Sequence, residues 1–222
     1  MNGRHELKYY INAVDCAQLR ARLRAVAKPD EHAAYDGKYR VRSLYFDNYS
    51  DKVVTDKLSG SSRREKFRLR YYNGDTSLIR LERKSKANRL TYKESSVITD
   101  GQCAELLAGR YECLKMPDEP LMMELYSKMR FQNLRPRSIV DYEREAYVYR
   151  AGNVRVTFDS RVRTSNSVAG FLSGDLVTIP SASAVILEIK YDGFLPDVIR
   201  DVLKTGYRNQ TEFSKYVAAR LV

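Results

Sequence analysis

Cysteine is scarce: Cys16, Cys103 and Cys113 are the chain's complement, and no two form a C-x-x-C pair. An odd, scattered set argues against a disulfide framework or a thiolate zinc site and for a reducing compartment. Histidine is scarcer, and His5 and His32 offer little for an imidazole metal cluster or a Ser-His-Asp system. Any metal is therefore expected to have oxygen ligands. No apolar run approaches the roughly 20 residues of a membrane-spanning helix, and an N-terminus carrying His5, Glu6 and Lys8 is no signal peptide. A cytoplasmic protein is expected. The chain also lacks a G-x-x-x-x-G-K-[ST] phosphate loop and an RNP-like block. With no repeat, low-complexity tract or boundary in 222 residues of 43% hydrophobic content, one domain over 1–222 is predicted.

Cationic charge is what the sequence has in excess. Lys and Arg number 39 against 28 Asp and Glu, a net +11 that favours nucleic acid, a membrane surface or a phosphorylated small molecule as partner. Between Ser77 and Lys86, strict alternation sets Arg80, Glu82, Lys84 and Lys86 on one strand face and Leu81, with Ile79, on the other. The pattern recurs. Glu6 and Lys8 alternate with Leu7 and Tyr9; Arg40 and Arg42 with Val41, Ser43 and Tyr45; Arg68 and Arg70 with Phe67, Leu69 and Tyr71. Further on, Arg144 shares a face with Tyr142 and Ala146, Arg155 with Thr157 and Asp159, and Glu188 with Lys190. Any single such strand reads as the solvated side of an ordinary sheet. The repetition, with cations dominating, makes a field that an anion would relieve, and unpaired charge cannot simply be buried.

Along the chain, a first strand over 3–11 leads to a helix from Asn12 or Asp15 to about residue 27, then a strand from Tyr39 to Phe46 and a short helix over 50–58. A meander follows: Arg63 to Tyr72, an Asn73-Gly74-Asp75 hairpin, the Ser77 strand, and Leu90 to Ile98. Helices near 100–107 and 118–131 need an apolar surface to cover, which the outward faces of the strands provide. The predicted fold is α+β: an antiparallel β-barrel with its charged faces inside and helices flanking it. Two strands around Ala151-Gly152-Asn153, a loop or irregular strands over 160–180, a strand from Ala184 to Tyr191 and two terminal helices, the last carrying Lys215, complete it.

Glu6, Glu82 and Glu188 read either as salt-bridge partners or as metal ligands, and Glu188 is favoured as a ligand because Val185, Leu187 and Ile189 imply a buried strand. Lys215 reads equally as a helix-surface side chain. The 17 tyrosines would suit base stacking, but most fall opposite the charged residues and are expected to pack beneath helices, so no specific nucleic-acid partner is predicted.

Several segments carry a family likeness: Glu6-Leu7-Lys8-Tyr9, Ser43-Leu44-Tyr45-Phe46-Asp47, Phe67-Arg68-Leu69-Arg70-Tyr71, Leu81-Glu82-Arg83-Lys84, Tyr142-Glu143-Arg144, Arg155-Val156-Thr157-Phe158-Asp159, Leu187-Glu188-Ile189-Lys190-Tyr191 and Ser214-Lys215-Tyr216. In this order, over nearly the whole chain, they resemble the VTC domain, the polyphosphate polymerase branch of the triphosphate tunnel metalloenzymes. The resemblance implies a β-barrel tunnel that uses Mn²⁺ or Mg²⁺ to pass the γ-phosphate of ATP to a growing polyphosphate chain. It implies phosphate-binding roles for Lys8, Arg68, Arg70, Lys84, Arg144, Arg155 and Lys215, a metal-binding role for Glu188, and looser matches at Lys93 and Lys190. Arg40, Arg42 and Lys86 join the substrate-binding candidates from their strand faces, and Glu6 and Glu82 the metal candidates. Eukaryotic relatives carry an extra N-terminal domain and a membrane segment, so a separate membrane-protein partner is an expectation here. Similar folds include triphosphatases and non-catalytic binding subunits. Replacing Arg68 and Arg70 together by Ala is expected to impair phosphate binding without unfolding the domain.

Overall fold

The computed structural model describes residues 3–31, 37–88, 90–204, 206 and 208–221. His32 lies outside them. Strand β1 (His5–Ile11) leads into helix α1 (Ala13–Val26), which starts where Asn12 Oδ1 accepts from the Asp15 amide at 2.8 Å and the Asp15 carboxylate answers the Asn12 amide. That reciprocal cap satisfies two orphan donors of the first turn. The two-residue β2 (Lys28–Pro29) precedes β3 (Lys38–Asp47) and α2 (Lys52–Leu58). β4 (Arg63–Tyr72), β5 (Asp75–Ala87) and β6 (Leu90–Ile98) form the expected meander, whose first turn places Asn73 at φ 53° and Gly74 at φ 77°. Those left-handed angles suit an Asn-Gly hairpin. α3 (Asp100–Leu107), capped by Thr99, and α4 (Pro120–Phe131), with proline in its first turn, come next.

β7 (Arg135–Tyr149) and β8 (Val154–Ser165) are long neighbours, followed by β9 (Ile179–Ala182), β10 (Val185–Tyr191), α5 (Asp197–Val202) and α6 (Lys215–Arg220). Much of the Ser- and Gly-rich stretch over 160–180 is structured. β8 runs on to Ser165, and a short 3-10 turn over 168–172 buries Phe171 against Tyr71.

Outward apolar faces and helices make the core. Phe67, Leu69 and Tyr71 of β4, Ile79 and Leu81 of β5 and Leu44 and Phe46 of β3 pack beneath Cys103, Leu106, Met122, Leu125 and Met129 of α3 and α4. On the other flank, Leu187 and Ile189 of β10 and Val156 and Phe158 of β8 meet Leu19 and Leu23 of α1 and Ile199 of α5. Each fully buried Leu or Phe contributes about 1.5–3 kcal/mol by leaving water, so the charged faces are turned to the other side of the sheet.

The closed barrel predicted from the sequence is not what forms. The antiparallel sheet runs β1-β10-β8-β7-β3-β4-β5-β6, with β2 on β7 and β9 on β8, and β1 and β6 are its ends. It curls until Glu6 on β1 lies 2.5 Å from Lys84 on β5, yet among the described residues β1 and β6 join only at the isolated Arg4–Thr91 bridge. The reason lies in the backbone: Thr211 N donates to Lys8 O at 2.8 Å and Gln210 bridges Tyr9, so the segment leading to α6 takes the edge groups that a closing β6 would need.

Candidate functional site

Strand register brings the cations together. Directly paired residues share a face, so Lys66↔Lys84↔Lys93 and Arg68↔Glu82 line up across β4, β5 and β6. Ser43 and Tyr45 of β3 stand beside Arg70 and Arg68. From the other end of the sheet, Lys8↔Glu188↔Thr157 and Glu6↔Lys190↔Arg155 point to the same side, as does Arg144↔Asp159. They enclose a cavity of about 330 Å³ lined, among the described residues, by eleven Lys and Arg side chains against Glu6 and Glu188. That volume lies in the range of small-ligand sites, and its lining is predominantly positive.

Fixed carboxylates hold these cations in place. Glu82, wholly buried, receives Arg68 at 2.6 Å and Lys93 at 2.6 Å, with Arg70 at 3.7 Å. Asp159, equally buried, holds Arg144 in a two-pronged pair at 2.6 and 2.8 Å and Lys215 at 2.5 Å. Burial favours the neutral acid, but Arg144 and Lys215 overcome it and take Asp159 down to about 2. Lys8 lies 2.8 Å from Glu6 and 3.5 Å from Glu188, while Lys190 lies 3.0 Å from Glu188. Against burial, Lys8 and Lys84 bring Glu6 to about 2, and Lys190 and Lys8 hold Glu188 well below the usual carboxylate range.

Of the predicted residues, Lys8, Arg68, Arg70, Lys84, Lys93, Arg144, Arg155, Lys190 and Lys215 line this cavity with Glu6 and Glu188. Lys86 lies in an adjoining lobe of about 90 Å³, which shares Glu6, Lys8, Lys66, Lys84, Thr91 and Ser214 with the main cavity. Arg40 and Arg42 are not brought to the group. The β3 alternation is as expected, but Val41, Ser43 and Tyr45 face the cations, while Arg42 is buried on the opposite side, 2.8 Å from Asp141. Arg40 reaches the same aspartate at 2.6 Å.

Sequence reasoning missed Lys66. It stands two residues before Arg68, on the same face, so the alternation that found Arg68 and Arg70 already pointed to it. Lys66 is the one cavity cation among the described residues with no carboxylate within salt-bridge distance, and it lies 5.3 Å from the centre of the Tyr45 ring. Burial, with Lys84 and Lys8 nearby, lowers it to about 7. Several tyrosines pack against α2 and α6, Tyr45 with its ring 5.2 Å from that of Tyr216, and also turn their hydroxyls to the cations. Tyr45 accepts from Arg68 at 3.2 Å, Tyr142 from Arg70 at 3.0 Å and Tyr39 from Arg155 at 2.9 Å. Burial raises Tyr142 and Tyr39, whose neutral hydroxyls orient a guanidinium without cancelling its charge, whereas Arg68, Lys66 and Arg70 overcome burial at Tyr45 and draw its hydroxyl down to about 7.

The donor set also bears on a metal. Among the described residues no group of three or more His, Cys, Asp or Glu side chains gathers to form a cage. Glu6 and Glu188, both beside Lys8, offer a pair of hard oxygen donors. A pair suits Mg²⁺ or Mn²⁺, which commonly takes one or two carboxylates and completes its shell with phosphate oxygens and water. Glu82 fits less well: Glu188 also stands beside three cations, Lys8, Lys190 and Arg144, but it lines the cavity, whereas Glu82 is wholly buried behind the lining.

An antiparallel sheet, capped outside by helices, thus curls around a cation-lined cavity. The chain belongs to the VTC domain family, whose model matches residues 3–222. Among solved structures, a Bacillus halodurans protein described as a candidate adenylate cyclase is similar with a TM-score of 0.50 and 13% identity, covering 90% of this chain and 87% of that one. The PH1819 protein of Pyrococcus horikoshii matches with a TM-score of 0.49 and 15% identity over 98% of both chains. At 13% identity the likeness to the Bacillus halodurans protein is one of fold. No curated protein matches the sequence. Among the described residues no helix is long and apolar enough to cross a membrane.

Proposed function

We propose that the protein is a polyphosphate polymerase that transfers the γ-phosphate of ATP to a growing polyphosphate chain. The observation that carries this reading is a second basic lobe that adjoins the cation-lined cavity and shares six lining residues with it, which would give a lengthening anion somewhere to go. An acceptor phosphate oxygen attacks the γ-phosphorus in line and a new P–O bond forms. The bond from that phosphorus to the β,γ-bridging oxygen breaks, and ADP leaves with the electron pair.

The chain's own part is to position and stabilise. Arg144 and Lys215, fixed on Asp159, and Arg68 and Arg70, fixed by Glu82 and tyrosine hydroxyls, are oriented before substrate arrives, so little reorganisation is needed as charge shifts between oxygens. Glu6 and Glu188 are the residues that would hold Mn²⁺ or Mg²⁺, which neutralises charge on the phosphate oxygens when bound.

Purified protein incubated with ATP and Mn²⁺ is expected to make polymer. Release of orthophosphate alone would identify a triphosphatase, and neither product a binding module. Glu188→Gln is expected to lower turnover by about 10- to 100-fold while polyphosphate still binds, with added Mn²⁺ restoring part of the loss. Unchanged metal dependence in a variant whose melting temperature has fallen would mean that Glu188 serves only its ion-pair partners Lys8, Lys190 and Arg144.

A further inference from the structure

The adjoining lobe carries a second arrangement of charge. Lys57 from α2, Arg64 from β4 and Lys86 from β5 converge on one carboxylate, that of Glu212. Arg64 Nη2 lies 3.1 Å and Lys86 Nζ 3.3 Å from it, and Lys57 is ion-paired to the same group. Exposure separates the parts. Lys57 and Arg64 side chains are 18% and 17% exposed, whereas Glu212 is 64% exposed. The cations are thus built into the walls, and the carboxylate is laid on them from the solvent side.

Three cations on three elements exceed what one carboxylate can neutralise, and its two oxygens cannot serve every donor they present. A phosphate group, with more charge and a third oxygen, matches them better. Burial keeps the Lys57 ammonium below its ordinary range even with Glu212 beside it, as expected where positive charge is incompletely answered. The lobe adjoins the main cavity, with Lys66 and Lys84 among the residues that line both.

We infer that Lys57, Arg64 and Lys86 form an outlying phosphate subsite that Glu212 fills in the free protein, and that a phosphate chain long enough to reach it displaces the carboxylate. This rests on the polyphosphate reading above. Glu212 is an internal competitor: it opposes long chains and leaves a short phosphate confined to the main cavity unaffected. Its segment stays anchored when the carboxylate is displaced, because the Thr211 amide bonds to Lys8 O and Lys8 Nζ donates to Phe213 O at 3.0 Å.

The test compares long-chain polyphosphate with tripolyphosphate by calorimetry on the full chain. Glu212→Gln is expected to tighten long-chain binding by about fivefold, the scale of a partly exposed ion pair, with tripolyphosphate unchanged. Lys57→Ala with Arg64→Ala is expected to remove the preference for the long chain. Melting curves identify folded variants, and Lys57→Ala alone replaces any pair that does not fold. If wild type binds both ligands and neither substitution alters their affinity ratio, the subsite is refuted while the main cavity stands. If wild type binds neither, both readings fall.

Discussion

Among the described cavity cations, Lys66 is the one whose charge no carboxylate answers. In the free folded protein it titrates near 7 against an ordinary 10.5, because burial and the neighbouring ammonium groups disfavour its charged form. Between those values the unfolded chain holds a proton that the folded chain has shed, so this group's contribution to stability rises with pH across the window. Below about pH 7 the penalty is fully present. Lys66→Met is therefore expected to be more stable than wild type at pH 6, with the gap closing towards pH 10, as denaturant melts at several pH values will read. Bound phosphate favours the ammonium, so binding near pH 8 should take up a proton, visible as a dependence of calorimetric heat on buffer ionisation enthalpy. The same substitution is expected to weaken polyphosphate binding about tenfold, the scale of one charge-assisted contact. Proton uptake unchanged in Lys66→Met would assign the titration to another group.

The paired strands β4 and β5 show what a face-by-face reading captures and what it leaves out. Alternation was enough to place Arg68, Arg70, Glu82 and Lys84 on one face, and the meander with its Asn-Gly turn was legible before any coordinates. Which face of β3 looks inward was not legible, since period-two alternation gives two faces and no sign. Pairing with Arg68 and Arg70 settled it for Tyr45 and Ser43, leaving Arg40 and Arg42 to Asp141. The open edge was also beyond the sequence, because it depends on where residues 210–211 lie, far from β1 along the chain.

Register also changes the expected outcome for the double substitution of Arg68 and Arg70. Read alone, the two arginines crowd each other, so their removal should relieve the fold. With Glu82 wholly buried between them, Arg68→Ala with Arg70→Ala leaves that carboxylate with Lys93 as its remaining ion-pair partner. A loss of about 3–5 kcal/mol is expected in denaturant melts, as for other buried ion pairs deprived of a partner. Adding Glu82→Gln should restore part of it. A double mutant as stable as wild type would mean that water reaches Glu82.

For the whole molecule, the feature that matters is the way the sheet ends. A barrel closed by a continuous ladder is a hoop: no stave can leave without breaking the bonds on both of its sides. Here the circuit is completed by a seam, made of the Arg4–Thr91 bridge and of the pairing of residues 210–211 with Lys8 and Tyr9. A seam is the cheapest place to open, since few backbone bonds hold it and local openings follow the weakest cooperative unit. Amide exchange at Thr91 and Thr211 is therefore expected to be faster than in the middle of β7 and β8, and bound polyphosphate should slow it, because the anion ties cations on both margins together. Uniform protection around the sheet would contradict this. A hoop accepts a strand only by its end, whereas a seam that parts lets a polymer be laid in along its length, so a long chain need not be threaded to be held.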